Sequence, residues 1–350
     1  MRIAVDIMGG DNAPDAIMAG CIMARDLLGP DDRLVLVGDA CIIRETLAES
    51  RLLDDPRYEI FPTTEIIGMG DSPIEAIKAK PDSNIVKWGW LGGRRAGDLH
   101  CGIIISAGNT GACVASAQMA MRRLPGVHRP GICVTIPSFF GPVVVSDVGA
   151  NPEPRPSHLH QYGHMAAIWA EKVLGKEKPK VAVLSIGSEE GKGNTLARGA
   201  AEFFKKDPTV NYIGYIEGRD IFNGVADVVI TEGFTGNVVL KLAEGLSKGI
   251  FETIAHEAFE VDPELAIKLQ PVVERIHKKH DYHEYGGAPL LGTNGICIIC
   301  HGSSKAITIR NAIRNAMGFE KLGINQAIAE RLTEASKHVK GLHNDSGEDA

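Results

Sequence analysis

The sequence lacks the features of several specialised classes of protein. Its 37 Lys and Arg are outnumbered by 44 Asp and Glu, which gives a formal net charge of −7. This balance argues against a general nucleic-acid binder, because affinity for a phosphate backbone comes from clustered basic residues. No apolar run reaches about 18 residues, so no segment is predicted to span a membrane.

A secretion signal and a disulfide framework are missing as well. The first residues, MRIAVDIMGGDNAP, contain no basic region followed by an apolar stretch and a cleavage site, so we expect a cytoplasmic protein. The seven cysteines are odd in number and scattered along the chain. They predict reduced, mostly buried thiols rather than disulfide bonds.

Familiar catalytic motifs are absent or incomplete. No Cys, His and Asp follow a recognisable hydrolase signature, and no GxGxxG follows the first apolar run, which argues against a hydrolase of that type and against a dinucleotide-binding dehydrogenase. The segment Gly187–Lys192 is one residue too short for a P-loop, and Gly193 stands where a magnesium-binding hydroxyl is needed. CIICH matches the haem-attachment string, but Cys297 and Cys300 would point to opposite faces of a strand and are expected simply to pack.

The chain is rich instead in glycine turns that follow short apolar runs. Such turns bring backbone N–H groups and hydroxyls close to an anion. Since the carboxyl ends of parallel strands meet along one edge of a sheet, the turns predict one composite anion site. They are SAGNTGA (106–112), DVGAN (147–151), SIGSEEGKGN (185–194), TEGFTGN (231–237) and GGAPLLGTNGICIICHGSS (286–304).

Buried strand patterns alternate with helical patterns, which is typical of an α/β fold with a mostly parallel sheet covered on both faces. With 350 residues, 44% of them hydrophobic, we expect one catalytic domain over residues 1–336 and a polar, disordered tail over 337–350. The predicted strands are 3–7, 34–38, 58–61, 102–106, 132–136, 143–148, 181–186, 211–216, 228–231 and 295–300. Four predicted helices are 14–28, 73–90, 111–122 and 159–174.

Residues from about 238 to 282 show a different pattern, which predicts a projecting helical hairpin. Apolar residues recur at helical spacing, and Pro263 and Pro271 interrupt the pattern before a second helix. The apolar face would pack on the body or a partner subunit, or touch a membrane surface, and the sequence favours subunit packing. Its residues are Val238, Leu242, Leu246, Ile250, Ile254 and Phe259.

Anion-binding turns without a recognisable nucleophile suit a reaction in which inorganic phosphate is the attacking group. Catalysis would consist of orienting phosphate against a carbonyl and of donating hydrogen bonds to the developing oxyanion. His301, at the end of a predicted strand, is either a structural histidine or a donor to a phosphate oxygen or the oxyanion.

Long blocks of the sequence resemble the bacterial phosphate acyltransferase family. Besides the glycine turns, they are AVDIMGGDNAP (4–14), IEGRDIFNGVADVVITEGFTGNVVLK (216–241) and YGGAPLLGTNGI (285–296), and the similarity runs in order from residue 1 to about residue 317. The resemblance implies a three-layer α/β/α sandwich of the phosphotransacetylase and isocitrate dehydrogenase-like group. It implies transfer of a long-chain fatty acyl group from acyl carrier protein to inorganic phosphate, giving acyl phosphate for phospholipid synthesis.

The resemblance also implies partners. They are a second copy of the chain in a homodimer, a peripheral contact with the membrane, and a downstream glycerol-3-phosphate acyltransferase. It implies no cofactor and no metal ligand.

Residue by residue, the resemblance makes Lys192 and Asn237 the strongest catalytic candidates, beside His301. Lys192 would offset the charge of phosphate, and the Asn237 amide would hold phosphate or the thioester oxygen. The alternatives are a solvated loop lysine and an asparagine that caps a helix starting at Val238.

The other candidates are expected to bind substrate. Asn109 and Thr110 would donate to phosphate, although they would also suit the start of a helix. Asp6 and Asp11 would orient donors or lie behind the site. The remaining candidates are Gly10, Gly111, Asn151, Asn194, Gly236, Ser303 and Ser304.

Two segments depart from the family pattern. Residues 69–84 keep only Lys78 and Lys80 where relatives carry a denser basic run, which weakens the case for carrier docking there. The hairpin tip is acidic, which predicts weak membrane affinity. Its acidic residues are Glu260, Asp262 and Glu264.

Two other functions stay open on the sequence. One is a short-chain phosphate acetyltransferase that uses coenzyme A, and the other is a non-catalytic scaffold for lipid-synthesis enzymes. A long apolar tunnel would favour the fatty acyl transferase, and a basic nucleotide pocket would favour the acetyltransferase.

Overall fold

The computed structural model describes residues 1–280 and 286–339. Within them, eleven strands form one continuous sheet in the order β3-β2-β1-β4-β11-β10-β5-β6-β9-β7-β8. The strands are β1 Arg2–Asp6, β2 Arg33–Gly38, β3 Tyr58–Pro62, β4 Ile103–Ser106, β5 Gly131–Ile136, β6 Val143–Ser146, β7 Val181–Leu184, β8 Tyr212–Ile216, β9 Val228–Ile230, β10 Ala288–Leu291 and β11 Ile296–Ile299.

The sheet consists of two parallel halves joined by an antiparallel junction. In one half β1, β2, β3, β4 and β11 are parallel, and in the other β6, β7, β8 and β9 are parallel. At the junction β10 is antiparallel to both β11 and β5, and β5 is antiparallel to β6. The predicted parallel character is confirmed within each half. The junction was not predicted, because β10 is only four residues long and lies between glycine turns.

Helices cover both faces of this sheet. They are α1 Asp15–Met23, α2 Ala40–Glu49, α3 Pro73–Ala79, α4 Asn84–Gly92, α5 Thr110–Met121, α6 Pro156–Leu174, α7 Thr195–Lys206, α8 Gly233–Val261, α9 Pro263–His280, α10 Ala306–Lys321 and α11 Ile324–His338, with short 3₁₀ turns at Ala24–Leu27, Arg94–Leu99 and Gly218–Asp220. The single helix predicted over 73–90 is two helices, separated by residues 80–83 around Pro81. Residues 337 and 338 of the predicted disordered tail belong to α11, Val339 is buried, and the rest of the tail lies outside the described residues.

Two apolar layers sandwich the sheet, one on each face. Along β1, Ile3 and Val5 face the layer that contains α1, α6, α7, α10 and α11, while Ala4 faces the layer that contains α3, α4 and α5. This alternation is the period of a strand buried on both faces. The predicted three-layer α/β/α sandwich is confirmed.

A helical hairpin extends the fold, as predicted, although it begins earlier. α8 starts at Gly233 rather than Val238, and α9 follows after Asp262. Pro263 occupies the first position of α9, where its missing N–H costs nothing. The expected break at Pro271 is wrong, because α9 continues through it. The predicted end near residue 282 lies outside the described residues.

None of the described helices is both long enough and apolar enough to cross a membrane.

Candidate active site

A cavity of about 630 Å³ lies at the junction of the two half-sheets. Both halves contribute to it through the ends of their strands and the helices that follow. Four candidates from the sequence line it: Asp11, Thr110, Asn237 and His301. The structure therefore brings together residues that are far apart in the chain, as a composite site requires.

The cavity passes through an opening in the sheet. β5 pairs with β10 only at Ile132 and Gly131, so the two strands separate beyond these residues. Pro289 has no N–H to close the gap. Val134 and Thr135 lie on opposite faces of β5, yet both line the cavity.

The inner part of the cavity is apolar. Trp169, Val173 and Leu174 of α6 line it, together with Phe319 of α10. The rings of Trp169 and Phe319 have centroids 4.4 Å apart, and Trp169 Nε1 donates to Thr135 Oγ1 at 3.1 Å, which fixes the indole. A dry, ordered wall of this kind suits an alkyl chain.

The mouth of the cavity is polar, with His301 at its centre. The backbone N–H of Ser303 donates to His301 Nδ1 at 3.2 Å, and Ser303 Oγ lies 2.7 Å from the same nitrogen. Since Nδ1 accepts a hydrogen bond, the neutral imidazole carries its proton on Nε2. That nitrogen lies 4.0 Å from Glu244 Oε2. The imidazole is thus oriented as a donor at the mouth.

Glu244 is a partly desolvated carboxyl group at this mouth. Burial raises its pKa, while the neighbouring His301 and Lys241 act in the opposite direction. A carboxyl group with a raised pKa beside a histidine is a common feature of functional sites.

Asn237 lies one turn inside α8 and does not cap it. Glu232 is the cap: its carboxylate accepts from the N–H groups of Phe234 at 2.6 Å and Thr235 at 2.9 Å. The alternative in which Asn237 caps a helix starting at Val238 is therefore wrong, because α8 starts five residues earlier. The Asn237 side chain is free of the capping role and faces the cavity.

Two charged residues of α8 that line the cavity were missed in the sequence. Lys241 and Glu244 line the cavity and lie four and seven residues after Asn237, on the same face of α8. The polar stripe that these residues form beside the apolar stripe of α8 was the pattern in the sequence that could have predicted them. Arg314 and Asn315 of α10 also line the cavity, and no motif marked them.

Gly236 allows α8 to approach the turn after β6. A Cβ at this position would lie 1.9 Å from the carbonyl oxygen of Asp147. The same turn places Gly149 near Asn237, with φ of 134°. The predicted substrate-binding role of Gly236 stays a prediction; its backbone position serves close packing.

Asp6 is fully buried at the end of β1 and is not among the residues that line the cavity. Its carboxylate accepts from Asn84 Nδ2 at 2.7 Å, from Ser106 Oγ at 2.7 Å and from the N–H of Met8 at 3.2 Å. Burial raises its pKa, and these hydrogen bonds oppose the rise. Asp6 thus ties together the ends of β1 and β4 and the start of α4.

Asn109 fastens the loop at 68–71 to the start of α5. Its side-chain oxygen accepts from Ala112 N at 3.1 Å, and its amide donates to three carbonyls of that loop, including Asp71 at 3.0 Å. Thr110 next to it lines the cavity, whereas Gly111 packs against Pro73.

The turns after β1 and β11 interlock. The N–H of Asp11 donates to the carbonyl of Gly302 at 2.8 Å, and a Cβ at Gly10 would lie 3.0 Å from that oxygen. Ser304 is fully buried, and its hydroxyl has no hydrogen-bond partner among the described residues.

Asn151 belongs to a buried network around Asp147. Its N–H donates to Asp147 Oδ2 at 2.7 Å, and its amide donates to the carbonyl of Pro130 at 2.7 Å. Burial raises the pKa of Asp147, and four hydrogen bonds oppose the rise.

Lys192 lies on an exposed loop and is not among the residues that line the cavity. Asn194, in the same loop, caps α7 by accepting from Ala197 N at 2.8 Å. The neighbouring Glu190 pairs with Lys205. Neither candidate in this loop is therefore among the residues that line the cavity.

The thiols fit the predicted packing role. Cys297 and Cys300 lie in the layers on opposite faces of the sheet. Cys300 lines the cavity, but burial raises its pKa to about 12, so it is not a thiolate nucleophile at neutral pH.

The comparisons with known proteins agree with the resemblance. Residues 1–327 match the family model described as "Fatty acid synthesis protein". The chain is 41% identical over 345 residues to the phosphate acyltransferase of Geotalea uraniireducens, covering 95% of both proteins. It is 44% identical over 342 residues to that of Syntrophotalea carbinolica, covering 94% of this chain and 92% of the relative. The chain belongs to the phosphate acyltransferase family.

Solved structures show the same fold at low identity. A phosphotransacetylase from Streptococcus pyogenes aligns with a TM-score of 0.59 and 17% identity, covering 95% of this chain and 94% of that protein. A branched-chain phosphotransacylase from Enterococcus faecalis aligns with a TM-score of 0.55 and 14% identity, covering 91% and 98%. The expected relation to the phosphotransacetylase fold is confirmed.

Proposed function

We propose that this phosphate acyltransferase family member transfers a long-chain fatty acyl group from acyl carrier protein to inorganic phosphate. Family membership supports acyl transfer to phosphate. The observation that carries the finer proposal is the apolar cavity that runs from the polar mouth through the opening between β5 and β10.

The cavity favours a long acyl chain. Each methylene group moved from water into an apolar site contributes about 0.8 kcal/mol. A two-carbon acyl group would leave the wall formed by Trp169, Val173 and Leu174 without contact. The proposed donor therefore carries a long chain, and a short-chain acetyltransferase is the weaker candidate.

The mouth suits phosphate and a thioester. Lys241 of the mouth and Arg314, which also lines the cavity from α10, would attract the anion. The amide of Asn237 would hold a phosphate or thioester oxygen, and His301 Nε2–H would donate to the oxyanion. An oxygen of hydrogen phosphate forms the new bond to the carbonyl carbon, the carbon–sulfur bond breaks, and the proton of the phosphate ends on the carrier thiol. No covalent enzyme intermediate is needed.

Lys192 enters the proposal as an electrostatic residue. It would offset the charge of phosphate or of the acidic carrier as the substrates arrive, from its exposed loop beside the second half-sheet. Asn194 of the same loop would hold the loop at the start of α7 through its capping hydrogen bond.

Carrier docking is proposed at the mouth rather than at residues 69–84. Lys80 already forms an ion pair with Asp71 at 2.6 Å and donates to the carbonyl of Ile66 at 2.8 Å. Arg314 and Lys241 are exposed beside the cavity. A basic rim would attract an acidic carrier protein.

A second copy of the chain is proposed to cover the apolar stripe of α8. Leu242 is 66% exposed and Leu246 is 59% exposed, and exposed apolar rows of this length usually mark an interface. Leu246→Glu should then convert a dimer into a monomer in sedimentation. We also propose a weak contact with anionic membranes, which binding to vesicles would test. The acyl phosphate is proposed to be the substrate of a glycerol-3-phosphate acyltransferase, which synthesis with both enzymes together would test.

The decisive experiment measures acyl phosphate formation from phosphate with palmitoyl carrier protein, palmitoyl coenzyme A and acetyl coenzyme A. We expect the palmitoyl carrier protein to be the best donor. A preference for acetyl coenzyme A would indicate the short-chain enzyme, and no product from any donor would indicate a scaffold.

Val173→Trp sharpens this experiment by filling the inner cavity. It should lower the rate with palmitoyl carrier protein and leave the rate with an octanoyl donor unchanged. An equal loss with both donors would contradict the assignment of the cavity to the acyl chain.

A further inference from the structure

Three buried side chains between α6 and α7 converge on one point, outside the cavity. His160 and His164 are one turn apart on α6, and Asp207 follows the last residue of α7. They are 4%, 0% and 2% exposed. The α6 and α7 helices pack on the same face of the sheet, in the layer that also contains Phe204.

The three ligand-type atoms are close to one another. His160 Nε2 and His164 Nε2 lie 2.9 and 2.8 Å from the same oxygen, Oδ2 of Asp207, and 3.2 Å from each other. Ligands about 2.0–2.1 Å from a zinc ion in tetrahedral geometry are separated by about 3.3 Å. A single ion can therefore sit at bonding distance from all three atoms with small side-chain adjustments.

The surroundings favour an ion over a water-filled gap. The His160 ring is 5.1 Å from the ring of Phe204 and 5.7 Å from that of Phe203, so aromatic side chains shield the cluster. The other oxygen of Asp207 accepts from Thr209 N at 2.9 Å and Thr209 Oγ1 at 2.6 Å. These hydrogen bonds orient the carboxylate and leave Oδ2 directed at the imidazoles.

A network of hydrogen bonds alone explains this arrangement less well. Both imidazoles would have to donate to one oxygen while their nitrogens lie 3.2 Å apart. A cation accepts all three electron pairs and removes this crowding. Two imidazoles and one carboxylate form a common zinc ligand set, in which a water molecule completes the tetrahedron at the fourth position.

We propose that His160, His164 and Asp207 bind one Zn²⁺ ion as a structural site that fastens α6 to the end of α7. α6 carries Trp169 and Val173 into the cavity, so the ion would stabilise the helix that forms the cavity wall. His164 Nδ1 is buried without a hydrogen-bond partner among the described residues. Such a missing outer partner typically costs about 10- to 100-fold in affinity, so we expect weaker binding than at a fully supported zinc site.

The test uses the full chain without a histidine tag, stripped with chelator and titrated with Co²⁺ and Zn²⁺. We expect one equivalent of metal, a tetrahedral Co²⁺ absorption band, and a rise in the unfolding temperature with Zn²⁺. The result does not depend on the proposed acyl transfer, because no activity is measured.

The variant His160→Leu/His164→Leu/Asp207→Asn removes the ligands while keeping the core filled, and it should lose the Co²⁺ band and the thermal response. His256→Ala, at an exposed position of α8, is the matched control and should keep both. Absence of stoichiometric metal in the native chain, or equal Co²⁺ binding by the triple variant, would overturn the proposal. Should the triple variant fail to fold, Asp207→Asn alone replaces it and must show the same loss of the band.

Discussion

Two glycine-rich blocks follow neighbouring strands of the sheet and have different roles. TEGFTGN follows β9, and its Gly236 packs against the backbone of the turn after β6 while Asn237 faces the cavity. SIGSEEGKGN follows β7, where a Cβ at Gly191 would meet nothing within 4 Å and Lys192 is exposed. Gly236 serves close approach in the first block, whereas Gly191 serves a backbone conformation with φ of 93° in an exposed loop of the second. Similar sequence composition therefore does not imply the same structural role.

The strongest test of this difference is Gly236→Ala. Its methyl group would overlap the carbonyl oxygen of Asp147, 1.9 Å away, and the backbone around it cannot move without disturbing Asp147. We expect a loss of about 3 kcal/mol in the free energy of unfolding, measured in urea, together with loss of activity.

Gly245→Ala on the same helix is the matched control, because nothing lies within 4 Å of its added Cβ. It should stabilise the protein by about 0.5–1 kcal/mol through helix propensity. If the two variants have the same free energy of unfolding, the close approach of α8 to Asp147 does not stabilise the site.

The next largest effect is expected for the two asparagines of these blocks. Asn237→Ala removes an amide from the mouth and should lower kcat about 100- to 1,000-fold with little change in stability. Asn194→Ala removes the cap of α7 and should cost about 1 kcal/mol of stability with a small change in kcat. Equal losses of kcat in the two variants would place the open loop in the chemistry as well.

Lys192→Ala measures what the open loop contributes. An exposed lysine that attracts anionic substrates should affect kcat/KM by about 10- to 100-fold at low salt, and the difference from the native enzyme should shrink as salt is added. Lys248→Ala, exposed on α8 and outside the cavity lining, is the control and should behave like the native enzyme. A loss in kcat that salt does not reduce would instead give Lys192 a direct contact with the reacting phosphate.

Much of the fold could be predicted because buried strands and their turns leave strong local patterns. Each of the ten predicted strands has a counterpart in the sheet. The strand that was missed is β10, because its four residues, APLL, lie between glycines and resemble a turn. Its pairing with β5 depends on contacts between residues 131–132 and 290–291, which no local pattern reveals. The opening in the sheet follows from that pairing and could not be predicted from the sequence for the same reason.

The site was only partly predictable. Asn237 was named through the family resemblance and His301 because it ends a predicted strand, and both line the cavity. Lys241 and Glu244 were missed because their helix is dominated by an exposed apolar stripe. The group of His160, His164 and Asp207 had a local signal, two histidines at helical spacing, but its third member is distant in the chain.

The smallest expected effect concerns the pH dependence of Glu244. Because burial raises its pKa, this carboxyl group takes up a proton at higher pH than an exposed glutamate, whose pKa is about 4.3. The folded state then holds more protons than the unfolded state between these two pKa values, so its contribution to stability is present at low pH and is lost as pH rises through that range.

Glu244→Gln removes both the charge beside His301 and this titration. The native enzyme should lose kcat/KM as pH falls through the raised pKa, because the carboxylate near His301 Nε2 becomes neutral. The variant should show a lower but flat profile in the same range, and its stability should no longer fall there with rising pH. Glu252→Gln, exposed on the same helix, should keep the native profile. An acid limb that persists in Glu244→Gln would assign it to another group, and the polar stripe of α8 would then act through Asn237 and Lys241 alone.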